Sequence, residues 1–131
     1  MKTNRGKVEG FPRSSCPIAN TLDLVGDKWS LLVIRDMLHG KATYGELLDS
    51  PERIPTNILA DRLKRLEGAG LIARSAYQER PVRYSYQLTG KGRELGGVLL
   101  ALVEWGKRHI LGTRTLKEAV PNPMKGKPTR T

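Results

Sequence analysis

The stretch TYGELLDSPERIPTNILADRLKRLEGAGL, Thr43 to Leu71, constrains the fold more than any other part of the chain. Thr43 followed by Glu46 fits a capping box, in which the hydroxyl caps an early backbone N–H and the glutamate reaches back to the cap. A short helix then buries Leu47 and Leu48. It ends near Asp49-Ser50, because Pro51 disfavours helical geometry in the residue before it. A second helix restarts at Pro55 or Thr56: proline suits a first helical position and threonine a cap, and the sequence does not choose. Ile58, Leu59, Leu63 and Leu66 recur at helical spacing on one face, and Gly68 and Gly70 stop the helix.

The opposite side of that second helix carries Asn57, Ala60, Asp61 and Lys64, flanked by Thr56 and Arg65. A short helix, a turn and a polar-faced helix predict a helix-turn-helix, whose second helix enters the DNA major groove by its N-terminal end. The plainer alternative is an amphipathic hairpin with a solvated face.

Charge favours the first reading. Lys and Arg number 23 against 13 Asp and Glu, a net charge of +10. That suits a polyanion, nucleic acid or an anionic membrane surface, and says nothing of the fold. At 131 residues the chain suits one domain with one modest core. No apolar run approaches the roughly 20 residues of a membrane span, and no signal-peptide core stands at the N-terminus. A single cysteine cannot form an internal disulfide, in keeping with a reducing, cytoplasmic setting.

Residues 1–13 are polar and basic and are read as a flexible arm; residues 14–111 form the folded domain; residues 112–131 are read as a basic, disordered tail. Within the domain, Pro17 opens a first helix with Ile18, Leu22 and Val25 on one face and Gly26 as its stop. Lys28 to Leu38 is a second, offering Trp29, Leu32, Val33 and Met37 to a core. After the helix-turn-helix the period falls from 3.6 to 2. Leu71–Tyr77 is β-compatible, Gln78-Glu79-Arg80-Pro81 is a polar break, and Val82, Tyr84, Tyr86 and Leu88 alternate with Arg83, Ser85 and Gln87. Two strands and a charged loop after a recognition-type helix make a wing, packed on that motif because a lone hairpin is marginal. Thr89 caps a last helix, Gly90 to about Leu111. Its apolar residues cover far more than the usual stripe, so a second subunit is expected to bury the excess. The fold class is therefore mostly α with a small β-hairpin wing, a winged helix-turn-helix dimerising through its N- and C-terminal helices.

These residues resemble a known family. Cys16-Pro17, Leu22-Asp23-Leu24-Val25-Gly26-Asp27-Lys28-Trp29, Tyr44-Gly45-Glu46-Leu47, Ile54 to Leu66, Gly70-Leu71-Ile72, Tyr84 to Thr89 and Trp105-Gly106 look like HxlR-type regulators of the winged helix-turn-helix class. The resemblance implies a bacterial or archaeal homodimeric transcription factor, paired through its terminal helices on a two-fold operator, with no catalytic activity. Asp27 departs from the glycine usual there, an aspartate that can cap a helix and is expected to change little. Thr43-Tyr44 stands where the family has an arginine and an aromatic, which removes one phosphate contact and leaves a hydroxyl.

Asn57 is the leading base reader, because a carboxamide pairs bidentately with adenine N6 and N7. Thr56 can touch a thymine methyl, Ala60 lets the helix sit deep, and Lys64 can reach guanine or a phosphate. Asp61 either accepts from cytosine N4 or pairs with Arg65 one turn on, the pairing being favoured. Arg62 falls in the apolar arc, its stem packed and its head snorkelling to a carboxylate or phosphate. Lys41, Thr43, Tyr44, Arg53, Arg80 and Arg83 complete the DNA-binding set as backbone or minor-groove contacts.

Cys16, at a helix N-terminus beside Arg13, is either a redox sensor with a raised thiolate fraction or a small interface residue. Some HxlR-like regulators sense oxidants or electrophiles through a cysteine near this position. His39 and His109 lack ligand-spaced neighbours, so neither a metal nor any other cofactor is expected, and no enzyme motif is present. The expected partners are double-stranded DNA, a second copy of the chain and a small-molecule or oxidant effector, without a membrane. Competing readings are a non-specific architectural DNA binder, a thiol enzyme for which no general base stands near Cys16, and a protein-interaction module.

Overall fold

The computed structural model describes residues 13–114. Their order is α1 (Pro17–Val25), α2 (Ser30–Leu38), α3 (Tyr44–Leu48), α4 (Thr56–Gly68), β1 (Ile72–Glu79), β2 (Val82–Leu88), α5 (Gly90–Arg93) and α6 (Gly96–His109). The core lies between α2, α3, α4 and the base of the hairpin. Ile34, Leu47, Leu59, Leu66 and Ile72 are fully buried there, joined by Val33, Leu63, Leu71 and Leu88. Ile34 was not among the residues expected in the core. Leu99 brings α6 onto this cluster, and α6 packs against α2.

α1 starts at Pro17 with Cys16 as its N-cap and Gly26 as its C-cap. Of its expected apolar face only Val25 is buried; Ile18 and Leu22 stand 70% and 56% exposed. Arg13, read as part of the arm, is tied down: its guanidinium grips Asp23 at 2.6 Å and donates to the Ala19 carbonyl. α2 begins two residues later than expected. Asp27 accepts from the N–H groups of Trp29 and Ser30, closing a turn ahead of the helix. The choice at α4 falls to Thr56 as its first residue, after an extended Pro55.

The hairpin departs from the expected break at 78–81. β1 runs on to Glu79 and β2 resumes at Val82, so only Arg80 and Pro81 turn. Gln78 and Glu79 pair with Arg83 and Val82, and a register shift between Ala76 and Gln78 takes up the extra residue. Alternation along β2 is partial: Leu88 is buried, Tyr84 and Tyr86 are half-buried, and Val82 is exposed, because the tip projects past the core. The base does not project. The Tyr86 N–H donates to the Ala42 carbonyl at 2.7 Å and Thr43 bridges Ser85, so the chain entering α3 lies against the wing.

The single last helix is in fact two. α5 ends at Arg93, and the Leu95 and Gly97 N–H groups reach back three residues, to Gly92 and Glu94. This tightened turn precedes the Gly96-Gly97 pair, a sequence that favours a kink. Gly92 shows what holds the first segment: a Cβ there would lie 2.1 Å from the Leu71 carbonyl oxygen. α5 is pressed on the hairpin base. Leu95, just before α6, and Leu99 and Val103 on it face the core, whereas Val98, Leu102 and Trp105 form an exposed stripe at helical spacing. α6 ends at His109, and the Thr113 hydroxyl folds back on the Gly106 and Ile110 carbonyls.

Candidate nucleic-acid interface

The capping box forms as the Thr43–Glu46 spacing requires. The Glu46 N–H donates to the Thr43 hydroxyl at 3.2 Å, and Glu46 Oε1 accepts from the N–H groups of Ala42 and Thr43 at 2.8 and 3.1 Å. Those backbone donors, led by Ala42, hold the Glu46 carboxyl below its usual range. The next residue ties the motif together: the Tyr44 hydroxyl donates to the Thr56 carbonyl at 2.9 Å, joining the start of α3 to the start of α4. Lys41 reaches the other end of α3, its ammonium donating to the Asp49 carbonyl.

The turn between the two helices is clamped from below. Arg35 on α2 forks onto Glu52 at 2.9 and 2.8 Å and also meets Asp36 at 2.9 Å. Its hydrogen bonds, outweighing partial burial, hold the Glu52 carboxyl down at about 2. Above that clamp Arg53 adopts a φ of 59°, left-handed geometry uncommon outside glycine, and its side chain is exposed. The clamp presents Arg53 at the tip of the turn.

On α4 the polar face is open. Thr56, Asn57, Ala60, Asp61, Lys64 and Arg65 are all exposed, with Leu59, Leu63 and Leu66 buried beneath. Asp61 stands 3.9 Å from Arg65 and also receives the Arg62 guanidinium, so the pairing expected of it is present. Arg62 is the snorkelling stem, 15% exposed, and its Nε donates to Asp27 at 2.8 Å. Asp27, expected to cap and to change little, lies ahead of the Trp29 N-cap and is bonded to Trp29, Ser30 and Arg62 at once.

Two grooves separate the motif from the wing. Thr43, Tyr44, Arg83 and Tyr84 line the one beside α3; Tyr44, Ala60, Lys64, Arg74 and Tyr86 line the one beside α4. Tyr44 and Tyr86 belong to both, so Thr43, Tyr44, Ala60, Lys64 and Arg83 lie along one continuous surface, while Lys41, Arg53, Thr56, Asn57, Asp61 and Arg65 lie outside the two grooves. Arg80 is exposed at the turn of the hairpin.

Arg74 is the residue that sequence reasoning missed. Its guanidinium lies 4.1 Å from the centre of the Tyr84 ring and 3.4 Å from Glu67 of α4. Its place opposite Tyr86 in the ladder is the signal that points to it. Burial pushes the Tyr86 phenol up, opposed by Arg74.

Cys16 stands apart from this surface, exposed at the N-cap of α1. The Arg13 guanidinium, expected to act on its thiol, is engaged by Asp23 and Ala19. Among the described residues no three His, Cys, Asp or Glu side chains gather as a metal site, and no helix is long and apolar enough to cross a membrane.

Residues 24–113 match the HxlR-like helix-turn-helix family. The chain is 43% identical over 103 residues to an uncharacterised HTH-type transcriptional regulator, sll1512, of Synechocystis sp., a match spanning 79% of this chain and 72% of that one. It is 33% identical over 94 residues to the HTH-type regulator YdeP of Bacillus subtilis, spanning 72% and 73%. Among solved structures it resembles the redox regulator HypR in its oxidised form, with a TM-score of 0.65 at 32% identity over 77% of this chain and all of that one. The reduced form of the transcriptional regulator YodB of B. subtilis gives 0.63 at 28% identity, again over 77% of this chain and all of the other.

Proposed function

The chain belongs to the HxlR-like helix-turn-helix family of transcriptional regulators, and on that premise we propose that it binds a two-fold operator as a homodimer. α4 enters the major groove of each half-site, and the half-sites lie about 34–36 Å apart. The observation that carries this reading is the open polar face of α4, continuous through Tyr44 with the wing. Asn57 reads adenine, Thr56 touches a methyl group, and Ala60 permits close approach. Lys64 and Arg65 reach guanine or the backbone beside it. Lys41, Thr43, Tyr44 and Arg53 anchor the backbone on one side and Arg80 and Arg83 on the other, setting register without reading sequence. The exposed stripes Ile18-Leu22 on α1 and Val98-Leu102-Trp105 on α6 supply the apolar surface for pairing. No catalytic step, metal or cofactor belongs to this reading, and a regulator of this kind works in the cytoplasm.

Selection of bound sequences from random duplexes, with wild type and Asn57→Ala side by side, tests it. One two-fold motif that degrades at a single mirrored position in the variant is the expected result. Equal binding of any duplex by both proteins, with a steep salt dependence, would establish the architectural alternative instead.

A second reading concerns the signal. Cys16 is exposed one residue before α1 and two before Ile18 of the proposed interface, and the chain resembles the redox regulator HypR in both its oxidised and its reduced form. In this reading an oxidant joins the two Cys16 thiols of a dimer as a disulfide, taking two protons and two electrons. Non-reducing electrophoresis after peroxide treatment, with Cys16→Ser as control, tests it; a monomer band from both proteins would overturn it.

A further inference from the structure

Asp27 and Asp61 lie on opposite sides of the same arginine. Asp27 sits in the turn between α1 and α2, and Asp61 sits on the open face of α4. Arg62 joins them, its Nε donating to Asp27 Oδ2 at 2.8 Å and its Nη1 to Asp61 Oδ2. The inner end of this chain is fixed. Asp27 Oδ1 accepts from the Ser30 hydroxyl at 2.6 Å, and Oδ2 accepts from the Trp29 and Ser30 N–H groups at 3.0 and 3.1 Å. Burial, which alone would raise the Asp27 pKa, is outweighed by those donors and by Arg62, so the carboxyl stays ionised. The outer end is half open: the Asp61 side chain is 53% exposed, against 15% for Arg62 and 24% for Asp27.

We propose that Asp27 is a positioning residue for DNA recognition, acting through Arg62 to hold the Asp61 carboxylate in one orientation on α4. This rests on the reading that α4 lies in the major groove. The physical argument is pre-organisation. An unpaired carboxylate one turn after Asn57 repels phosphates and samples several rotamers, and ordering a flexible side chain on binding costs affinity. Two guanidiniums, Arg62 and Arg65, offset its charge, but only Arg62 is anchored in the body of the protein. Asp27 supplies that anchor without approaching the DNA surface itself. A lysine in place of Arg62 keeps the charge but has one nitrogen, where two are needed to hold both carboxylates.

Asp27→Asn keeps an oxygen to accept from the Trp29 and Ser30 N–H groups while removing the charge that fixes Arg62. With the selected wild-type operator, Asp27→Asn and Arg62→Lys are expected to weaken binding about three- to tenfold. Circular dichroism and thermal melting establish that each variant is folded. The discriminating readout is the cycle with Asp61→Ala: in that background Asp27→Asn is expected to change affinity by less than about twofold. A loss of equal size with and without Asp61 would overturn the proposal, as would full affinity in a folded Asp27→Asn. Failure of the underlying reading looks different, since wild type itself would then select no motif.

Discussion

α4 and α6 carry the same kind of apolar repeat and use it differently. In α4, Leu59, Leu63 and Leu66 are buried and the face opposite them is polar apart from the small Ala60. In α6, Leu99 is buried, yet Val98, Leu102 and Trp105 repeat the spacing on a second side and stay 42–58% exposed. An apolar period therefore establishes a helix without saying how many surfaces it serves. The α4 repeat is used up within one chain, and its remaining face is free for a polar ligand. The α6 repeat exceeds what one chain covers.

The same substitution at both places separates the two uses most sharply. Leu59→Ala is expected to cost about 2–5 kcal/mol in urea unfolding, through lost burial and a cavity. Leu102→Ala is expected to leave monomer stability within about 0.5 kcal/mol, as at other surface sites. Sedimentation should nonetheless show weaker self-association. Equal destabilisation by both, with no change in mass, would break the comparison.

Gly92→Ala probes the packing that sends α6 off on its own course. Its new methyl meets the Leu71 carbonyl, and overpacking of this kind is expected to cost about 1–3 kcal/mol in the same assay.

Acid should affect the turn leading into α4 before the α6 stripe, whose members Val98, Leu102 and Trp105 are not ionisable. Glu52 is held at about 2, chiefly by Arg35, against an ordinary value of 4.5. A depressed carboxyl contributes stability that is complete above its unfolded pKa and lost as pH falls toward the folded one. Melting temperature should therefore drop between pH 4.5 and 2, and Glu52→Gln should flatten that decline while lowering stability at pH 7. Asp27, also depressed, adds to the loss in the same direction.

Arg83→Ala is expected to have the smallest effect on the α4 side. It should weaken all duplexes alike and reduce the salt slope by about one phosphate. Loss of preference at one base pair would instead place Arg83 among the base readers.

Much of this surface was legible because its determinants are local. Thr43 and Glu46 stand three residues apart, and the polar face of α4 follows from one helical turn after another. β2 carries its bounds in its own alternation. The Arg35–Glu52 and Asp27–Arg62 pairs join residues 17 and 35 apart, and no local pattern announces a bond at that range. The break before α6 was written in Gly96-Gly97, but the cap at Thr89 and the long apolar run argued for continuity. Nothing local singles out the fully buried Ile34 within an apolar segment whose neighbours are equally good core residues. Nothing along its own strand marks Arg74, because its aromatic neighbours lie across the hairpin.

The hydrogen bond from Tyr86 to Ala42 has a mechanical consequence. It fastens the wing to the lead-in of α3, and Tyr44 fastens α3 to α4. α4 and the base of the wing are thus tied through α3, with the gap between them set like the jaws of a fixed caliper. In the proposed dimer an effector finds the base of the wing already fastened. On that proposal the signal acts by turning one caliper against the other, and the spacing of the two α4 helices, not the gap within one subunit, is what it changes.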